Sequence, residues 1–160
     1  MDYIVIGLII VGLVGVDQIT KVWATNTLAD GRSIPIWDGV FHLQYVKNTG
    51  AAFGMLGGRQ TFLIIITTLI IIGMFIYYHK LPTTVLGKWT KIAFIMIISG
   101  AIGNLIDRVF LNYVRDFLYF KLINFPVFNV ADILVVVGVG LLVVTMLLSE
   151  VEEERRKEKA

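Results

Sequence analysis

Four long apolar runs dominate the chain: Tyr3–Val16 continuing to Trp23, Phe62–Tyr78, Ile92–Ile106 and Val130–Leu148. A bilayer core of about 30 Å takes roughly 20 residues of α-helix to cross. The first and third runs reach that length only if their polar ends, Asp17 to Lys21 and Asn104 to Arg108, lie at the membrane–water boundary. Pro35, Pro82 and Pro126 all fall between the runs, where helix breakers belong, and Trp23, Trp89 and Tyr77-Tyr78 flank them as an interfacial aromatic belt does. The pattern predicts an α-helical membrane protein, one integral domain over 1–160, with four transmembrane helices at about 3–23, 61–79, 90–107 and 130–150.

The segments between runs read differently. Within 24–60, Ile34-Pro35-Ile36-Trp37 and Val40–Val46 favour strands, and Asp38-Gly39 between them signals a two-residue hairpin with Pro35 on an edge strand. Within 108–129, Val114–Phe120 reads as extended, which puts Arg115 and Asp116 on opposite faces. A small extracytoplasmic sheet and loop cap over the bundle follows. The tail 151–160 is expected to prolong the fourth helix through the pairs Glu152/Arg156 and Glu153/Lys157.

Composition sharpens this picture in three ways. At 57% hydrophobic and mean hydropathy +0.81, the 160 residues suit a compact membrane bundle rather than a soluble domain. Cysteine is absent, which removes thiol nucleophiles, and every glutamate lies between Glu150 and Glu158, so carboxylate chemistry in the membrane part falls to aspartate. Lys80, Lys88 and Lys91 crowd the short second connection, and Arg155, Arg156, Lys157 and Lys159 fill the tail. Basic residues close to spans face the cytoplasm, so both termini are expected there.

Ionisable residues at the margin of hydrocarbon are costly and read as functional. Asp17 and Lys21, four apart on one helix face, form a neutralised pair that supports a site. Asn104/Asp107 and Asn129/Asp132 each place an amide and a carboxylate on one face at a spacing of three. For Asn129 and Asp132 a helix cap accounts for the same residues, and Arg108 is a local partner for Asp107. If the third and fourth helices are antiparallel neighbours, the 22 residues Arg108–Asn129 can return Asp116 beside Asp132. Two adjacent aspartates share a proton, and such a pair can activate water for peptide hydrolysis without a covalent intermediate. His42 and His79 fall on opposite sides and no H-E-x-x-H occurs, which disfavours a shared metal, and no metal ligands are assigned. Ser99-Gly100 with Gly103 reads as helix packing, not as a serine nucleophile. The alternative use of Asp107, Asp116 and Asp132 is a proton- or ion-coupled transporter, which would place them near the midplane.

The blocks Asp17-Gln18-Ile19-Thr20-Lys21, Asn48–Gly54, Gly100–Arg108, Val114-Arg115-Asp116-Phe117 and Phe128-Asn129-Val130-Ala131-Asp132 resemble, in order, the signature blocks of the lipoprotein signal peptidases (signal peptidase II), bacterial membrane aspartyl proteases. The resemblance implies Asp116 and Asp132 as the catalytic pair. It implies Asn104, Arg108 and Asn129 around them, and Asp17, Lys21, Asn48, Gly50 and Asp107 as further site-supporting positions. It further implies prolipoprotein substrates cleaved before a diacylglyceryl-modified cysteine, and a site at the outer face of the bacterial cytoplasmic membrane. Contact with membrane lipid, inhibition by globomycin-type cyclic peptides, no cofactor and no nucleic-acid partner complete what it implies. The Gly-rich stretch Gly50–Gly58 is expected to act as a lid. Ser99 and Arg115 depart from the glycine and aliphatic residue frequent at those places in the family.

Overall fold

A computed structural model describes residues 3–50 and 57–158 of the chain. Among them, four helices are long and apolar enough to cross a membrane: α1 (Tyr3–Leu28), α2 (Gln60–Tyr78), α3 (Val85–Leu111) and α4 (Val130–Lys157). Three strands, β1 (Ser33–Trp37), β2 (Phe41–Asn48) and β3 (Val114–Phe120), form one antiparallel sheet in that order. The expected class, membrane helices with a small sheet, is what the chain adopts.

Helix α3 is the axis, packed against each of the other three. Half of its most apolar 18-residue window is buried, against 17–22% for the other helices, whose large apolar side chains face outward as lipid-exposed helices require. Small residues set the α3–α4 approach. A Cβ on Gly100 would collide with the Ala131 carbonyl oxygen, and one on Gly138 would stand 2.7 Å from Ile97 Cγ1 and 3.0 Å from the Ala93 oxygen. This is the close backbone packing that associates helices in lipid, and Ser99, buried and bonded to the Ile95 carbonyl, belongs to it.

Two helices reach further than the apolar pattern indicates. Helix α1 continues to Leu28 because Ala24 and Leu28, both fully buried, pack beneath the sheet against Phe117. Helix α3 starts at Val85, where the Thr84 side chain accepts the Gly87 N–H at 3.0 Å, and runs to Leu111 before Asn112 closes it in the left-handed conformation (φ 63°). Hydropathy marks the hydrocarbon, whereas these turns lie beyond it and are fixed by caps and by the sheet.

The β1–β2 connection is a three-residue turn, Asp38 to Val40, with Gly39 at φ 72° and Trp37 paired with Phe41; the expected two-residue hairpin does not form. A register shift between Pro35 and Trp37 takes up the extra residue, and Pro35 lies on the edge strand. A second shift, between Leu43 and Val46 of β2, brings Asn48 opposite Val114. Asn48 is thereby the diagonal neighbour of Asp116 on the same sheet face. At the other end of the bundle Lys157 pairs with Glu153 at 2.9 Å. The side chain of Arg156, and with it the Glu152/Arg156 pair, lies outside the described residues, as do residues 51–56 of the expected lid.

The α3–α4 contact yields a paired prediction. Gly100→Ala should lower the melting temperature in detergent, because overpacking against a backbone oxygen costs roughly 1–3 kcal/mol and outweighs the gain in helix propensity. Gly140→Ala, where a Cβ meets open space, should be neutral or stabilising by comparison.

Candidate active site

Two polar layers meet where the sheet joins the bundle. One layer consists of ions. Lys21 and Asp17, both fully buried on α1, lie 2.9 Å apart, and Lys21 Nζ also stands 3.5 Å from Asp107 Oδ2 on α3. Asp107 does not pair with Arg108, as the sequence allows; it pairs with Arg115 of β3, whose NH2 lies 2.6 Å from Oδ1. Asp107 Oδ2 accepts the Arg115 Nε (3.1 Å) and backbone N–H (2.9 Å), and Gln18 links Asp17, Asp107 and Arg115 through its amide. Two carboxylates and two cations balance inside this layer. Asp17 Oδ1 also accepts the Ala131 N–H at 2.9 Å, which ties the start of α4 to α1.

The second layer is held by amides. Asp116 Oδ2 accepts from Asn48 Nδ2 at 2.9 Å and its Oδ1 from Asn129 Nδ2 at 2.6 Å. Asp132 Oδ1 accepts from Asn104 Nδ2 at 2.8 Å and its Oδ2 from the Asn129 backbone N–H at 3.1 Å. Asn104 Oδ1 in turn accepts from Lys21 Nζ and Asn129 Nδ2, so it joins the ions to both carboxylates. Asn129 Oδ1 takes the Asp132 N–H at 3.0 Å. Capping and site-building are therefore one arrangement: the carbonyl end of Asn129 caps α4 while its amino end holds Asp116.

Local folding explains why these side chains meet. Phe128, just ahead of the cap, exchanges backbone hydrogen bonds with Leu118 (2.8 and 2.9 Å) and accepts from Phe117, so β3 and the first turn of α4 are stitched side by side. The sequence offered no signal for that bridge beyond Phe128 opening its block. Gln18, likewise unassigned from the sequence, is the cross-link of the ion layer.

Asp116 and Asp132 both line a cavity of about 630 Å³, together with Asn48, Asn104 and Arg108 at its polar end. Apart from Thr67, its remaining wall is apolar, from Ile70 of α2, Ile97 of α3 and Val136 of α4 among others. Burial, and then the negative charge of Asp132, push the Asp116 carboxyl up to about 7. Arg108 donates long bonds to the carbonyls of Gly50 (3.3 Å) and Asn104 (3.4 Å), and its buried Nε has no partner among the described residues. Gly50 itself donates to Asn48 Oδ1 at 2.9 Å. Asp17, Lys21 and Asp107 lie outside the cavity lining. The carboxylates gather at one end of the bundle, not at its middle as a transporter relay would require.

A family model for signal peptidase (SPase) II matches residues 9–148. The chain belongs to the signal peptidase II family. It is 45% identical over 143 residues to the lipoprotein signal peptidase of Clostridioides difficile (strain 630), spanning 89% of this chain and 95% of that one. It is 44% identical over 137 residues to that of Gloeobacter violaceus (strain ATCC 29082 / PCC 7421), spanning 86% and 78%. Two solved bacterial membrane enzyme structures, determined by the in meso method at 2.3 and 1.9 Å resolution, superpose with TM-scores of 0.82 and 0.80 at 31% and 33% identity. They cover 92% and 91% of this chain, and 90% and 94% of their own. As a signal peptidase II, the chain is a membrane-embedded hydrolase of the aspartic endopeptidase type.

The ion layer carries its own prediction. Lys21→Met leaves Asp17 and Asp107 to share one remaining cation, and breaking a buried pair in this way costs about 3–5 kcal/mol. A thermal melt in detergent should drop sharply for Lys21→Met and recover in part for Lys21→Met with Asp17→Asn.

Proposed function

We propose that the chain removes signal peptides from prolipoproteins by water-mediated cleavage before a diacylglyceryl-modified cysteine, with Asp116 and Asp132 as the catalytic pair. One observation carries this reading. Each of the four oxygens of Asp116 and Asp132 accepts an N–H from a neutral amide, and both carboxylates face the same cavity. Amides orient a carboxylate without neutralising it, so two such groups in a buried site keep one proton between them near neutral pH.

The ionised member takes a proton from water, and the resulting hydroxide adds to the scissile carbonyl while the protonated member gives its proton to the carbonyl oxygen. Collapse of the tetrahedral diol breaks the C–N bond. The amine of the cysteine leaves with the proton the base acquired, and the diol returns one proton to the pair, which ends as it began. Arg108, within electrostatic reach of both carboxylates, supplies Nε and its long-bonded NH2 to a substrate carbonyl or to the developing oxyanion.

The apolar wall of the cavity suits a signal helix and acyl chains that enter sideways from lipid, and a globomycin-type cyclic peptide would occupy the same space. Lysine density at the opposite end supports cytoplasmic termini and a site at the outer face of the membrane. The stretch Gly50–Gly58 is the segment proposed to close over the pair during turnover.

Cleavage of a synthetic diacylglyceryl prolipoprotein peptide by purified protein tests the pair. Asp116→Asn and Asp132→Asn should each lose on the order of 10³-fold in kcat while retaining the wild-type melting profile; near-full activity in either would remove that residue from the chemistry. The wild-type rate should be bell-shaped in pH. Above about 7, where Asp116 gives up the proton, the acid is lost; at low pH the second carboxylate is protonated and the base is lost.

A further inference from the structure

Arg115 lies next to Asp116 in sequence yet on the opposite face of β3, and it does not line the cavity. Its guanidinium grips both oxygens of Asp107, its backbone N–H adds a third bond to the same carboxylate, and NH2 reaches Gln18 Oε1 at 2.8 Å. Asp107 holds the Arg115 guanidinium above its ordinary pKa, so the cation persists throughout the working range. The start of β3 is thus tied to α3 and α1 through one of its faces, while Asn48 and Asn129 hold Asp116 on the other.

We infer that Arg115 is a positioning residue for peptide hydrolysis: its fork on Asp107 fixes the position and rotation of β3, and hence of Asp116, and its charge keeps the ion layer neutral. The inference rests on the catalytic reading of Asp116. Forked guanidinium–carboxylate pairing fixes geometry in a way that a lysine's point charge does not. With an uncharged residue at 115, Lys21 is the remaining cation within ion-pair distance of Asp17 and Asp107 among the described residues, and the layer carries a net negative charge. The charged or titratable groups facing this region are Asp17 and Lys21 on α1, Lys47 and Tyr45 on β2, Asp107 and Arg108 on α3, Tyr113 just ahead of β3, Asp116 on β3 and Asp132 on α4. Of these, Lys47 pairs in register with Arg115, but its Nζ lies over the Tyr113 ring at 5.1 Å.

The expected signature combines rate and pH. Arg115→Leu should lower kcat by about 10- to 100-fold with little change in KM, as a small misplacement of a reacting group does. Its alkaline limb should move up by about one pH unit, because added negative charge holds the shared proton more tightly. Arg115→Lys, which keeps the charge and loses the fork, should reduce kcat without moving the limb. Arg115→Leu with Asp107→Asn, neutral again, should return the limb to its wild-type position. Wild-type kcat and limb in a folded Arg115→Leu would overturn the inference; if that variant fails to fold, wild-type kcat in Arg115→Lys overturns it instead. Asp116→Asn, run in parallel, separates the two levels. An active Asp116→Asn refutes the catalytic pair, whereas an inactive Asp116→Asn beside a wild-type-like Arg115 variant refutes the positioning role alone.

Discussion

A carboxylate at the edge of hydrocarbon has lost most of its water, and it must be compensated by a cation, by hydrogen-bond donors or by a proton. This chain uses different compensation for different aspartates, and its architecture follows from that division. Asp17 and Asp107 receive Lys21 and Arg115 and are fully buried. Among the described residues, the hydrogen bonds to the Asp116 and Asp132 carboxylates come only from amides. Cations would have fixed the second pair in the ionised state. Neutral donors fix their orientation and leave room for a proton, which is what acid–base chemistry needs. Asn104 is the joint between the two regimes, accepting from Lys21 and donating to Asp132.

The surrounding fold serves this junction. Small residues on α3 let α4 approach closely enough for Asp17 to reach the Ala131 N–H and for Asn104 to reach Asp132. The sheet contributes a register shift that sets Asn48 diagonal to Asp116, and Phe128 locks β3 to the start of α4. On the cavity side the walls are apolar and open toward lipid-facing helix surfaces. On the proposed function, a membrane-anchored substrate would present its cleavage point to the polar end without leaving the bilayer.

The helices were legible in the sequence because hydropathy measures transfer into hydrocarbon, and that is what fixes their centres. Their ends were not. Leu28 and Val85 depend on packing beneath the sheet and on the Thr84 cap, to which hydropathy is blind. Asp38-Gly39 announced a turn, but its length followed from a register shift that pairing alone decides. At the candidate site, the N-x-x-D spacings put Asn104 and Asp107, and Asn129 and Asp132, on common faces, and Asn129 both caps α4 and holds Asp116, so spacing alone could not separate a cap from a site residue. Asp107 takes Arg115, eight residues on, and not its sequence neighbour Arg108, which turns toward the cavity. Long-range ion pairing of that kind leaves no local pattern.

Infrared titration of the purified protein observes directly the proton that the proposed Asp116–Asp132 pair would share. A protonated-carboxyl C=O band should be present near neutral pH, disappear as the pH rises through about 7, and be lost or displaced when either Asp116 or Asp132 is replaced by asparagine. If no buried carboxyl titrates in that range, or if the band is untouched by both substitutions, the two aspartates are not an acid–base unit and the mechanism built on them fails.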